Sequence, residues 1–254
     1  MISYIIKRVL LLIPVLLVVS TIVFFLIHII PGDPVDFILG EQALPVDREL
    51  LIHEFELDRP VSVQYLHFMK GVLKGDLKHS LLDRRSVARH IQERYGATLQ
   101  LAVAALFVAL IIAIPLGIFA ALKKNSIYDS SAMFLSLVGI SMPNFWLGPL
   151  LILLFCVTLG WFPVAGRESL SSIVLPAVTL GAALSAMLSR MTRASMLEVL
   201  NKEYITAARA KGLPESKVIL KHALKNALNP ILTIVGLQVG ALLAGAIVTE
   251  KIFN

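Results

Sequence analysis

The chain has 254 residues, 57% of them hydrophobic and only 16% charged, with a formal net charge of +6 and a mean hydropathy of +0.82. A soluble domain of this size could not cover its surface with so few polar side chains, so the composition excludes a soluble globular protein and predicts an all-α integral membrane protein. The single cysteine, Cys156, excludes an intrachain disulfide and reads as a small buried hydrophobe inside an apolar stretch.

About 20 apolar residues cross the hydrocarbon, and five predicted transmembrane helices follow in chain order, at about 9–30, 98–121, 132–159, 174–191 and 228–249. The first is preceded by Lys7 and Arg8. Its apolar core is too long for a secretory signal and no small-x-small cleavage site follows, so it is predicted to be an uncleaved span. Residues 31–97 then form an amphipathic segment. DRELLIHEFELDRP and VSVQYLHFMKGVLK are expected as short helices separated by Pro60, and SVARHIQERYGATL as a helix leading to the second span. His53 and Glu54 resemble the start of a zinc-hydrolase motif, but HEFEL lacks the second His four residues on, so no metal site is predicted. In the third stretch, Pro143 and Asn144 imply a kink or a re-entrant turn. The fourth, VLPAVTLGAALSAMLSRM, is rich in small residues and is expected among other helices and away from lipid. In the fifth, Gly236, Gly240 and Ala244 recur every four residues, a spacing that lets helices approach closely. Thr179, Ser185, Thr233 and Gln238 are the mid-membrane polar groups; each suits a translocation pathway or an ordinary interhelical hydrogen bond equally.

Lysine and arginine near span ends mark the cytoplasmic side. Lys7 and Arg8 place the N-terminus inside, and alternation puts 31–97 and 160–173 outside, with 122–131 and 192–227 inside. The charges agree. Residues 31–97 hold eleven acids and nine bases, whereas Arg190 to Lys225 holds eight bases and three acids. The net charge therefore belongs to one membrane face and is no sign of nucleic-acid binding.

Between the fourth and fifth spans lies EYITAARAKGLPESKV, residues 203–218. On a helix, Tyr204, Ala207, Ala208 and Lys211 share a narrow face of mostly small side chains. Gly212 then breaks the helix and Pro214 starts a second one, PESKVILKHALKNAL, so two short helices with a glycine hinge are expected near the membrane surface. One reading is an interfacial loop whose lysines meet anionic lipid. The other is a knob that enters a groove on another protein. A face of Ala and Gly offers lipid little apolar area.

The stretch ITAARAKGLPESKVILKHALKNALNPILTIVGLQVG resembles the EAA loop of the membrane subunits of binding-protein-dependent ABC importers, more narrowly the dipeptide, oligopeptide and nickel permease family. The likeness runs through the whole chain in the family's order: PGDP after the first span, ELDRPVSVQYL, KGDLKHSL, ATLQLA, SMPNFWLGPLLIL, GWFPVAG, LPAVTLGAAL, SRMTRASMLEVL and VTEKIFN. The resemblance implies a type-1 ABC importer transmembrane fold over 98–254, with a coupling loop at about 195–227. Before it come a first region, 1–30, and an external helical insertion, 31–97. In the coupling loop it implies Ala207, Ala208 and Gly212 as motif positions, flanked by Tyr204, Arg209 and Lys211. Thr206 stands where the family's naming Glu would be.

The resemblance also implies partners: a second permease subunit, two cytosolic ATPase subunits that bind ATP and Mg²⁺, an external solute-binding protein, and membrane lipid. No GxxxxGK[ST] phosphate cradle occurs in this chain, so no cofactor and no catalytic residue of its own is expected. The setting implied is a bacterial or archaeal cytoplasmic membrane. The function implied is peptide import, with nickel or glutathione import as alternatives. An ion-coupled carrier is a rival from another class, weakened by the scarcity of ionisable groups in the spans; a membrane-embedded enzyme would need a paired catalytic constellation that the chain does not show. The family core has six spans, so five predict a chain truncated at its C-terminus.

Overall fold

The computed structural model describes residues 2–29, 35, 49, 52–53, 56–80, 83, 85–166 and 169–253. Its elements are helical; among the described residues no strand forms, and one isolated bridge joins His79 to Ser86. The chain divides into two compact units, Met1–Glu93 and Arg94–Asn254.

The first unit opens with α1, Ile2–Ile29, which is apolar on all sides. Only 6% of its most hydrophobic window is buried, as a helix surrounded by lipid requires. Near its C-terminal end Phe24 meets the rings of Phe25, His28, Tyr65 and Phe68 at 4.5–5.5 Å. The Tyr65 hydroxyl lies 2.8 Å from Thr21 Oγ1. These contacts hold α2, Val61–Lys74, against α1. Pro60 precedes α2, as expected from its fixed φ, and Gly75, at φ +76°, ends it in the left-handed conformation. The helix expected over DRELLIHEFELDRP lies mostly outside the described residues; its end, Glu56–Asp58, is a turn. His53 pairs with Asp58 at 3.2 Å, and Glu54 lies outside the described residues. The Glu56 carboxylate is held below the usual carboxylate range, first by its 2.6 Å hydrogen bond to His67 Nδ1.

The next helix, α3, runs unbroken over Val87–Leu122, joining the expected lead-in helix to the second span. Then come α4, Ile127–Ser141, and α5, Asn144–Leu151, which passes into a π-helical turn, Ile152–Thr158. The third stretch is thus no single straight span: its two halves meet at 98°. Pro143 is the cause. The residue before a proline is forced out of the helical region, and Met142 is extended at ψ 115°.

A short 3₁₀ turn, Leu170–Ile173, leads into α6, Val174–Leu200. After α7, Glu203–Ala210, the chain forms α8, Glu215–Lys217, a π turn at Val218–Ala223, α9, Leu224–Gly245, and α10, Ile247–Ile252. Here the expectation of two short surface helices needs correction. Only α7 is a separate short helix; Glu215–Leu243 is one helical run of 29 residues, so the second short helix expected here is continuous with the fifth span. Nothing between Glu215 and Asn229 interrupts helix formation, and Pro230 is accommodated inside α9.

Four described helices are long and apolar enough to cross a membrane, or five if the bent pair is one span. Within the second unit, α6 is the central element. As its small residues predicted, it is the most enclosed span, with 44% of its window buried. An alanine-rich stripe of α3, including Ala105, Ala109 and Ala113, meets Leu180 and Leu188 of α6 and Ile231 and Leu242 of α9.

Among the described glycines, the tightest approaches to another helix are at Gly117 and Gly181. A Cβ on Gly117 would sit 2.5 Å from Thr192 Cβ and 2.7 Å from the Ser189 carbonyl, and one on Gly181 would sit 2.8 Å from the Ala105 carbonyl. Gly117→Ala is therefore expected to force α3 and α6 apart and cost about 1–3 kcal/mol, read as a lowered unfolding midpoint in detergent. An unchanged midpoint would mean that the α3–α6 seam yields freely.

Candidate functional site

The end of the second unit that gathers the basic residues is built around α7. Helix α7 carries Glu203 in its first turn and Arg209 in its last, both favourable to the helix dipole. Ile205 is fully buried and Ala208 is 8% exposed, and these two, three residues apart, form its inner face. They rest on Ala121 of α3, Met196 of α6, Val218 and Ala223 of the π turn, and Ala227 of α9. Five elements of the fold, α3, α6, α7, the π turn and α9, therefore meet in one apolar cluster, and a push on α7 reaches α3, α6 and α9 through close contact.

The predicted shared face of Tyr204, Ala207, Ala208 and Lys211 is corrected by this arrangement. Ala208 belongs to the buried seat, while Tyr204, Ala207 and Lys211 are exposed. The reason is Ile205, the largest apolar aliphatic side chain of α7, which turns inward and takes Ala208 with it. Gly212 is exposed and left-handed, at φ +71°, and nothing lies within 4 Å of where its Cβ would be. Glycine is needed there for backbone conformation and not for space. Arg209 spans the turn: its Nη2 donates to Glu215 Oε1 at 2.6 Å and its Nε to Glu215 Oε2 at 3.2 Å. That pairing raises the already high pKa of Arg209, so the guanidinium stays charged. Arg209 thus braces the loop from within, in addition to being an exposed cation.

At the same end, α4 is tied to α6 by an ion pair. Arg193 Nε donates to Asp129 Oδ1 at 2.5 Å and Nη2 to Oδ2 at 2.6 Å. Asp129 also accepts from the Asn125 amide, and its own amide donates to Ser126 Oγ, the N-cap of α4. This pair was not anticipated, although Ser126 followed three residues later by Asp129 is a capping-box signal.

The polar groups expected along a pathway separate into two sets. Thr179 is fully buried and donates to the Leu175 carbonyl; Ser185 is buried and donates to the Ala182 carbonyl. Both hydroxyls are thus used inside their own helix. Gln238 is 7% exposed, and its Nε2 donates to the Leu184 carbonyl at 3.2 Å, linking α9 to α6. Thr233, Gly236 and Gly240 lie on the exposed side of α9, and a Cβ on either glycine would meet nothing within 4 Å. Among the described residues, then, the tightest glycine approaches between helices fall at Gly117 and Gly181, and the Gly236–Gly240 stripe meets no described neighbour. Ala244 lies on α9, and its side chain is outside the described residues.

Comparison with known proteins bears on what this arrangement serves. Residues 113–254 match the family model for the binding-protein-dependent transport system inner membrane component, and residues 1–102 match the N-terminal model for binding-protein-dependent transport system membrane components. The glutathione transport system permease protein GsiC of Escherichia coli (strain K12) is 44% identical over 254 residues, covering all of this chain and 83% of that protein. The proteins of the same name from Shigella dysenteriae serotype 1 (strain Sd197) and Salmonella typhi are 44% and 43% identical over the same span.

Proposed function

Because this chain belongs to the family of binding-protein-dependent transport system inner membrane components, the permease subunits of ABC importers, we propose that it forms half of an import pathway for small peptides, glutathione included. Its ATP hydrolysis takes place in a separate subunit, and the family implies an ATPase and a solute-binding protein as partners. In the proposed assembly a second permease subunit completes the pathway. Two cytosolic ATPase subunits hold ATP and Mg²⁺, and the solute-binding protein delivers cargo from the opposite side.

The observation that carries this reading is the seating of α7. Its outer face (Tyr204, Ala207, Lys211, Gly212) is free, while Ile205 and Ala208 join it to three long helices. A partner that closes on ATP binding moves α7 as a rigid body, and α6 and α9 tilt with it. The two states interconvert productively because ATP and the loaded binding protein each favour a different one. The basic end, with Lys123, Lys124, Lys211, Lys217, Lys221 and Lys225, faces the cytosol in this reading, and the N-terminus lies on the same side. Glutathione is favoured within the peptide class by the 44% identity to permeases named for it.

Uptake tests the reading. In a strain lacking its own peptide and glutathione importers, the complete system is expected to take up labelled glutathione or dialanine, and not nickel. A cysteine placed at Glu215 is expected to react with membrane-impermeant maleimide only after the cells are opened. Labelling in intact cells would reverse the topology and remove the coupling role of α7.

A further inference from the structure

At the end of the second unit opposite α7 lies a cavity of about 420 Å³, between the start of α3, the 3₁₀ turn before α6, and α10. Its polar lining includes Gln100, Ser172 and Glu250, and its apolar lining includes Leu101, Ile173 and Phe253. Glu250 is the one charged side chain among the described residues that line it; Lys251, the next residue, is exposed and does not. The carboxylate is held in place from across the fold, because Thr98 Oγ1 donates to Glu250 Oε1 at 2.7 Å, 152 residues away in sequence. No described residue forms an ion pair with it, and its second oxygen carries no bond to another described group.

We infer that this cavity receives the free α-ammonium group of a small peptide cargo, with Glu250 as its counter-ion and Thr98 as the residue that positions the carboxylate. The inference rests on the transport reading above and deepens it. A volume of this order suits a molecule of di- or tripeptide size. A carboxylate at a span end, with no ion-pair partner among the described residues and facing a cavity, is suited to a charged ligand. The chemistry selects a cation. Glu250 accepts hydrogen bonds but has none to donate, so it repels a carboxylate and attracts an ammonium, whose three N–H donors Oε2, Gln100 and the Ser172 hydroxyl can accept. The apolar wall of Leu101, Ile173 and Phe253 takes the body of the peptide. The proposed direction of transport makes this the outer end, where cargo leaves the binding protein.

The test uses the assembled importer in nanodiscs, without its binding protein. The probes are labelled dialanine, glutathione, and their N-acetyl forms. The wild-type assembly is expected to bind both free-amine probes about tenfold more tightly than the acetylated ones, the scale of one hydrogen-bonded charge contact. Glu250→Gln is expected to abolish that preference by weakening only the free-amine probes, Glu250→Asp to restore part of it, and Thr98→Val to reduce it two- to threefold. Size-exclusion chromatography verifies assembly of each variant, and Thr98→Val tests the same carboxylate if Glu250→Gln does not assemble. A wild-type assembly that binds free and acetylated probes alike overturns the inference. So does a Glu250→Gln assembly that keeps the preference. Loss of binding-protein docking in Glu250→Gln, with probe binding intact, also overturns it, because the cavity would then hold a basic side chain of that protein. Wild-type uptake in cells, measured in parallel, judges the transport reading separately from all of these outcomes.

Discussion

Arg193→Ala is expected to destabilise the second unit by about 3 kcal/mol, and Asp129→Ala by clearly less, about 1–2 kcal/mol. The asymmetry follows from burial. The Asp129 side chain is 6% exposed, so without Arg193 its charge stays enclosed and loses both strong donors. The Arg193 side chain is 25% exposed, so without Asp129 its guanidinium still reaches water. Replacing Arg193 therefore strands a charge, whereas replacing Asp129 mainly removes a contact and part of the α4 cap. Chemical unfolding of the purified subunit in detergent measures both, and the double variant is expected to be more stable than Arg193→Ala alone. Equal losses near zero would show the pair to be screened like an ordinary surface ion pair.

Ile205→Ala is expected to uncouple the transporter. It removes most of a fully buried side chain from the cluster that seats α7, at a cost of about 2–4 kcal/mol. The seat of α7 weakens while the contacts of α3, α6 and α9 deeper in the unit are untouched. Substrate-stimulated ATP hydrolysis and uptake are both expected to fall by about tenfold or more, the effect of 1.4 kcal/mol or greater at the seat, while the ATPase subunits remain bound through the exposed face. Ile205→Val, which keeps most of the volume, is expected to retain most of the uptake. Tyr204→Ala provides the contrast. Tyr204 is 44% exposed, so its loss is expected to change subunit stability by less than about 0.5 kcal/mol and to weaken capture of the ATPase subunits instead. Normal uptake by Ile205→Ala would mean that force does not pass through this seat.

These two residues also show where sequence reading stops. Ile205 sits among charged and small residues in EYITAARA, and the periodicity alone allows either side of that helix to face inward. Its partners, Met196, Val218 and Ala121, come from three other elements, so the choice of face depends on contacts far apart in sequence. The same is true of Thr98 and Glu250, and of Asp129 and Arg193. By contrast, the break at Pro143, the helix break at Gly212, the start of α2 after Pro60, and the enclosure of α6 were all legible. Each is a local consequence of backbone chemistry or side-chain size.

The amino-acid order alone was enough for the solvent of the chain, its helical class, the positions of its breaks and its family, because hydropathy, proline and glycine act within a few residues. Folding in three dimensions settled which faces are spent internally. Small residues admit close approach without requiring it: Gly117 and Gly181 became helix contacts, while Gly236 and Gly240 remain free on α9. A helix has several possible inner faces, and the one it adopts is chosen by the summed contacts of all its neighbours at once.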